Sequence, residues 1–395
     1  MMTIPLSLYI HIPWCVKKCP YCDFNSYATD KEIKEIPEEA YIQMLLRDLE
    51  QDLPLVWGRR IKSIFFGGGT PSLFSPNGIE KILSYVHALL PCDPQAEITL
   101  EANPGTFEHH AFKDYRNAGI NRISLGAQSF QNDKLQALGR IHDADNIKRA
   151  LELIHNSQFD NFNIDLMYGL PQQTVNDALY DLKTALTFSP THLSWYNLTI
   201  EPNTIFHQKP PLLPNEDLTS EIQEEGQAYI AANEFTQYEI SAYSKFTSKS
   251  IDPQKNFQCI HNKNYWEFGD YLGIGAGAHA KITHQGENTL TRYWKTRYPK
   301  SYLNPENPLI AGSKTLPPSD RVFEFMLNAL RLTDGFPTTL FQERTLLPID
   351  CIQAILNEAK DKDLLNITSK KITPTKLGKR FLNNLIELFI PKNIK

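Results

Sequence analysis

A chain of 395 residues with 40 Lys and Arg against 45 Asp and Glu, a net charge of -5, is long enough for more than one core and lacks the basic excess of a general nucleic-acid binder. At 41% hydrophobic and 22% charged residues its composition is that of a globular protein. No run of about twenty apolar residues and no charged n-region followed by an apolar h-region is present, so neither a membrane span nor a signal peptide is expected. Three of the six cysteines fall in one tight run, and Cys92, Cys259 and Cys351 are scattered as small buried residues would be. A cytoplasmic protein with reduced thiols is the natural expectation.

Short apolar runs alternate with amphipathic helical stretches. Ser7 to Ile12 reads as the first strand, and Cys15, Cys19 and Cys22 follow it in CxxxCxxC spacing. Three thiolates can hold three irons of a 4Fe-4S cube and leave one iron open for a ligand. Zinc is the alternative, but structural zinc takes four closed ligands, and no second cysteine pair follows downstream. His11 could act as a fourth ligand, although it lies inside an apolar strand-like run.

Tyr41, Ile42, Leu45, Leu46, Leu49 and Leu53 then share one helical face. A second strand, Ile61 to Phe66, ends in Gly67-Gly68-Gly69-Thr70-Pro71, a backbone able to approach a ligand closely or to take positive φ. Ile79, Ile82, Leu83, Val86 and Leu90 form the next helical face, and the third strand, Glu97 to Glu101, ends on a carboxylate. A fourth strand, Arg122 to Gly126, is followed by Gln128, Ser129 and Arg140. The fifth, Phe162 to Met167, carries Asp165 inside an apolar run. A charge there is expected to face a polar site, since charged groups are rarely buried without a partner. Ala178, Leu179, Leu182 and Leu186 mark another helix before the sixth strand, Leu193 to Thr199. Six βα units in sequence imply a parallel sheet with right-handed crossovers.

Further on stands His261-Asn-Lys-Asn-Tyr-Trp266, then Gly273-Ile-Gly275-Ala-Gly277-Ala-His279. A histidine beside flat aromatic rings suits axial ligation of heme iron, and equally suits a packed residue satisfied by backbone. His279 is an alternative ligand. The glycine run lacks the strand and acidic partner of a dinucleotide fold and is expected to close the last turn of the sheet near the site. From about residue 300 prolines punctuate the chain. Helix Ser319 to Leu332, helix Ile349 to Lys362, a hairpin over Leu364 to Thr373 and helix Thr375 to Phe389 then read as a small winged-helix-like α+β domain. Lys376, Lys379 and Arg380 are too few to neutralise several phosphates, which favours a lid or partner surface.

The cysteine run, with the aromatic Tyr21 before its third cysteine, resembles the radical S-adenosylmethionine superfamily. In that superfamily the open iron chelates the cofactor's methionine part, and one-electron reduction yields a 5'-deoxyadenosyl radical. The resemblance sharpens the fold to an α/β open (βα)6 partial TIM barrel over residues 1–300, with the site at the C-terminal ends of the strands. A winged-helix-like domain over 301–395 completes it. Over nearly the whole chain the pattern resembles the coproporphyrinogen III dehydrogenase (HemN-like) branch. That likeness implies that Tyr9, Gly68 and Glu101 contact the cluster-bound S-adenosylmethionine, and that Tyr21, Gly69, Thr70, Gln128, Arg140 and Asp165 match positions holding a second one. Two departures point away from porphyrinogen oxidation: Phe24 stands where that branch has a fourth cysteine, and the cluster strand begins within the first ten residues.

The HNxxYW run resembles the heme chaperone (HemW) subfamily. It implies a protein that binds heme, with His261 as the candidate ligand, and transfers it to acceptor proteins such as respiratory enzymes. A 4Fe-4S cluster on Cys15, Cys19 and Cys22 with S-adenosylmethionine, and a cluster-dependent homodimer, come with the same resemblance. An oxygen-independent coproporphyrinogen III oxidase is the alternative, so whether the chain is an enzyme stays open at this level.

Overall fold

The computed structural model describes residues 4–29, 36–106, 111–245 and 256–391. Six strands run parallel in chain order: β1 (Leu6–Ile12), β2 (Ile61–Gly68), β3 (Cys92–Ala102), β4 (Arg122–Gln128), β5 (Phe162–Tyr168) and β6 (His192–Asn197). On the far side β6 pairs antiparallel with the short strands β7 (Phe235–Gln237) and β8 (Ala242–Lys245), in the order β6-β8-β7. On the near side β1 pairs with β9 (Asp270–Ile274), a seventh parallel strand that the sequence pattern does not single out. From β9 the sheet continues antiparallel through β10 (His279–His284), β11 (Thr289–Lys295) and β12 (Ile310–Thr315), giving twelve strands in one open sheet.

Strand alternation decides what the sheet encloses. Leu8, Ile10, Ile64, Phe66, Leu100, Ile123, Leu125, Ile164, Leu166 and Leu193 all point outward into one apolar core. Helices α1 (Glu38–Asp52), α2 (Pro76–Leu89), α3 (Ala144–Asn156), α4 (Val175–Thr187) and α5 (Glu216–Ala232) cover that face. Their starts are chemically marked: Asp143 and Thr174 form reciprocal capping boxes with Asn146 and Asp177, and Ser75 and Asn215 cap α2 and α5. Registered inner positions are mostly polar instead. Ser7 lies beside Ser63, Ser63 beside Glu97, Ser124 beside Asn163, Gly126 beside Asp165, and Asp165 beside Ser194.

Helix α6 (Ile260–Trp266), which carries the HNxxYW residues, packs against β2 and β1. The glycine run after it divides its work. Gly273 lies inside β9, where a side chain would strike the His279 backbone, while Gly275 and Gly277, at φ 104° and 78°, turn the chain into β10.

The C-terminal domain has its own core around Phe325, Phe336, Phe341, Leu356 and Ile372. After α7 (Pro318–Ala329) it adds two elements that the sequence pattern passes over, strand β13 (Phe336–Pro337) and helix Thr338–Thr345. Proline at the strand end and a polar helix surface hide both from periodicity. β13 pairs with β15 (Lys371–Pro374), which pairs in turn with β14 (Leu365–Ile367). The final helix breaks into Lys376–Arg380 and Leu382–Glu387 at Phe381. Residues 310–315 lie beyond the expected boundary at 300, yet they hydrogen-bond into the large sheet. Cys259 is buried and Cys92 half-buried as small residues; Cys351, expected to be buried, is exposed in a short 3-10 turn.

Asp270 ties β9 to its surroundings. Its carboxylate accepts from Lys281 Nζ at 2.9 Å, Arg59 Nη1 at 2.8 Å, and the Thr283 amide and hydroxyl at 2.9 and 2.8 Å. Lys281 and Asp270 are 1% and 0% exposed, so removing the carboxylate strands a buried ammonium. Asp270→Ala is expected to cost about 3–5 kcal/mol, read as a lower midpoint in chemical denaturation. An unchanged midpoint would show that water reaches Lys281.

Candidate functional site

The C-terminal ends of the strands surround a cavity of about 450 Å³. Cys15, Cys19 and Cys22 line one side of it from the loop after β1, all three half-buried free thiols. That loop is built by its own hydrogen bonds. The Tyr27 amide donates to Pro13 at 2.7 Å and the Thr29 amide to Cys15 at 2.7 Å, and Lys18 Nζ clamps the carbonyls of Phe24 and Ser26. Asn25 reaches across to the β9–β10 turn, donating to Ala276 O at 2.9 Å and Arg297 O at 3.1 Å.

Burial pushes the Cys15 and Cys22 thiols up, with Thr70 opposing the shift at Cys15 and the Phe24 backbone opposing it at Cys22. Among the described residues no three His, Cys, Asp or Glu side chains gather at single-ion distance. Thiols spread along one wall suit a cluster that offers its irons at separate corners better than one tetrahedral ion.

The opposite wall comes from the strand ends. Gly68, at φ 114°, has no room for a side chain beside the His11 ring, and its amide donates to Glu101 Oε2 at 3.1 Å. The Gly69 amide donates to Ile12 O and the Thr70 amide to Trp14 O, both at 2.7 Å, so the glycine run is pinned against the cysteine loop. Arg140 is the most connected group. Its Nη1 donates to Cys19 Sγ at 3.6 Å and Tyr21 Oη at 3.5 Å, and its Nη2 donates to Asn103 Oδ1 at 2.7 Å and Gly126 O at 2.8 Å. Arg140 thus places a fixed guanidinium against the cysteine loop. Gln128, at φ 70°, accepts from the Tyr196 hydroxyl at 2.8 Å. Asp165 accepts from Ser124 at 3.1 Å and Asn163 at 2.8 Å, and burial holds its carboxyl above the usual range.

Eight of the nine residues expected at a cofactor therefore share this cavity with the three cysteines: Tyr21, Gly68, Gly69, Thr70, Glu101, Gln128, Arg140 and Asp165. Tyr9 is the exception. Its ring stacks near Phe65 with centroids 6.3 Å apart, and it lines a smaller cavity of about 200 Å³ beneath. Ser129, which follows Gln128 in sequence, turns away to Asp181 at 2.8 Å. Asn103 was not expected here, although it stands in the same Glu-Ala-Asn-Pro-Gly run as Glu101; it joins Thr70 (2.9 Å) to Arg140.

His261 lies apart from the cysteine cavity. It is 1% exposed on the barrel floor, clasped between Phe65 (4.9 Å) and Tyr265 (5.0 Å), with Nδ1 3.0 Å from Ser63 Oγ. Among the described residues it lines the 200 Å³ cavity, smaller than the roughly 300–1,000 Å³ of pockets for drug-sized ligands. His279 is instead exposed, at the start of β10, on the turn that Asn25 holds. Phe24 is 60% exposed at the cavity mouth, with Val16 and Ile141 beside it at 47% and 57%.

The chain matches the Radical SAM superfamily over residues 9–185 and the HemN C-terminal domain over 316–381. It is 46% identical over 386 residues to the heme chaperone HemW of Escherichia coli, covering 98% of each chain, and 48% identical over 391 residues to that of Haemophilus influenzae at the same coverage. The heme chaperone HemW of Bacillus subtilis is 30% identical over 97% of this chain and 99% of its own. Among solved structures, E. coli coproporphyrinogen III oxidase (HemN) shares the fold with a TM-score of 0.79 at 23% identity, covering 98% of this chain and 90% of that one.

Glu101 gives a pH test. Burial and the Asp165 charge push its carboxyl from 4.5 to about 8. The folded state therefore holds a proton that the unfolded chain releases near pH 4.5, so this contribution is full below 4.5 and is lost as pH rises through 8. Glu101→Gln is expected to melt increasingly above the unaltered protein between pH 6 and 9, with no such gap at pH 4. Parallel melting curves across that range would place Glu101 in contact with bulk water.

Proposed function

Because the chain belongs to the heme chaperone HemW family within the radical SAM superfamily, we propose that it binds heme beside a three-thiolate 4Fe-4S cluster and hands the heme to acceptor proteins. The convergence of Cys15, Cys19 and Cys22 with Glu101, Gln128, Arg140 and Asp165 on one cavity carries the cofactor part of this reading. Cys15, Cys19 and Cys22 would hold the cluster, whose open iron, when loaded, binds S-adenosylmethionine and supplies one-electron chemistry.

The protein's own contributions are positional. Arg140 sets positive charge beside Cys19, the Gly68 amide and Thr70 fix the rim, and Glu101 offers its carboxyl to the cofactor's methionine end. In this reading His279, rather than His261, would be the residue that ligates the heme iron. It is exposed, and its turn is tied to the cysteine loop through Asn25, so order in that loop and the placing of the ligand share one set of hydrogen bonds. Phe24, Val16 and Ile141 give the apolar edge that a porphyrin face needs. Among the described residues no helix is long and apolar enough to cross a membrane, so contact with a membrane-bound acceptor would run through that partner.

Anaerobic titration of cluster-loaded protein with heme is expected to give one heme per chain with a sharp Soret band. His279→Ala should weaken binding about tenfold or more, and Cys19→Ala should remove the cluster absorbance. In the same preparation coproporphyrinogen, S-adenosylmethionine and a reductant should release no carbon dioxide. Porphyrinogen turnover would make the chain an oxidase despite Phe24, and unaltered heme binding by His279→Ala would remove that ligand.

A further inference from the structure

Below the cysteine cavity, and divided from it by Glu101, Ser124 and Asp165, which line both, lies the smaller cavity of about 200 Å³. Two side chains on its wall are almost fully buried yet leave a nitrogen without a hydrogen-bond partner: His261 Nε2, at 1% exposure, and Arg122 Nε, at 2%. Orphaned buried polar atoms are costly and are normally met by ordered water or a ligand.

A chain of hydrogen bonds leads to His261. Asn264 Nδ2 donates to Ser7 Oγ at 2.9 Å, the Ser7 and Ser63 hydroxyls lie 2.8 Å apart, and Ser63 Oγ lies 3.0 Å from His261 Nδ1. The same Asn264 amide donates to Asp270 O at 2.9 Å, which fixes its orientation. When the chain runs from Asn264 toward the ring, Nδ1 accepts and the ring proton sits on Nε2, and this is the tautomer the proposal takes. A metal-ligating histidine has the reverse arrangement, with its second nitrogen donating to a protein acceptor.

We propose that the lower cavity holds ordered water which carries the His261 Nε2 proton as a hydrogen bond to the carboxyls of Glu101 and Asp165, so that His261 is a positioning residue for the cofactor-facing Glu101. At about 30 Å³ per water the space takes several molecules, each with the two to four polar partners it needs from His261, Asn163, Ser124 and the carboxyls. The titratable and charged groups facing it are Tyr9, Glu101, Arg122, Asp165, His261 and Tyr265. Burial keeps the His261 ring neutral, down at about 3, so it acts as a fixed donor across the working pH range. A donor below Glu101 stabilises its ionised form, the form that accepts from a bound amine.

The inference rests on Glu101 binding the cofactor, and the test separates the two. Cluster-loaded full-length protein, His261→Leu, His261→Gln and Ser63→Ala are titrated anaerobically with S-adenosylmethionine from pH 6.5 to 9, and separately with heme. His261→Leu should weaken S-adenosylmethionine binding about tenfold near pH 7 and move its pH midpoint upward. Glutamine, which keeps a donor, should restore most of the affinity. Ser63→Ala, which frees the tautomer and covers the case of a leucine variant that fails to fold, should shift the midpoint in the same direction by less. The heme Soret band should stay unchanged in all of them. Equal affinities and midpoints across the series overturn the proposal alone, as does loss of the Soret band in His261→Gln with cofactor binding intact. Failure of the unaltered protein to bind S-adenosylmethionine overturns the cofactor reading and this one with it.

Discussion

The carboxylate of Glu97, buried at 6% exposure on β3, holds the barrel floor in place. It accepts from the backbone amides of Ile260 and His261, both at 3.2 Å, and from the Cys259 thiol at 3.4 Å, and lies 3.8 Å from Arg122 Nε. Helix α6 has no side-chain cap of its own at Cys259, so a distant strand supplies the negative charge that its exposed amides require. An acidic residue more than 160 positions away in sequence thereby fixes where the HNxxYW helix sits. With that helix packed against β1 and β2, the strand ends at the other side line the cysteine cavity.

What that interior contains follows from a second constraint, the alternation of side chains along each strand. The outward set is apolar and pays for folding through helix packing, while the inward set of Ser, Asn, Asp, Glu and Arg could not form a dry core. Charged groups placed there must be paired or hydrated. Arg122 lies near Glu97, Asn163 serves Asp165, Ser124 and His192 together, and His192 passes its other nitrogen to the Tyr238 hydroxyl at 2.8 Å. The polar network thus continues from the cysteine cavity downward to Tyr238. The adjoining Glu239 bridges to Leu332 and, at 3.7 Å, meets Arg331 of the C-terminal domain. The small domain is anchored to the floor of the barrel, remote from its mouth.

The division between what periodicity can and cannot reveal follows the same geometry. Strands β1 to β6 were legible because each is a short apolar run ended by glycine or a polar turn, and Asp165 stood out as a charge within one of them. The cysteine spacing and the residues quoted around it brought eight of nine expected cofactor positions onto one cavity. Glu97 and Arg122 occupy the same inward set as Asp165, yet each sits at the first residue of an expected strand, where a charge raises no question. β9 escaped notice because its pairing with β1 joins segments some 260 residues apart, and its glycine is needed for packing against His279. The surroundings of His261 were hidden for a related reason. A histidine among aromatics reads alike on a surface or in a floor, and only Ser63 and Phe65, neighbours through the fold, decide between them.

The placing of the two histidines also separates two duties that one motif could be taken to combine. His261 belongs to a buried network that links its Nδ1 through Ser63 and Ser7 to Asn264, beneath Glu101. His279 stands outside that network, exposed at the end of a turn whose conformation depends on Asn25. Asn25 also offers its own carbonyl to His11 Nε2 at 2.9 Å and its side-chain oxygen to Tyr27 and Arg297. Asn25, three residues from Cys22, thus joins the cysteine loop by direct hydrogen bonds to the turn that precedes His279. Coupling between cluster and heme in this chain would run along the rim of the barrel, through a short loop that the cluster itself would order, and the barrel interior would serve the cofactor alone.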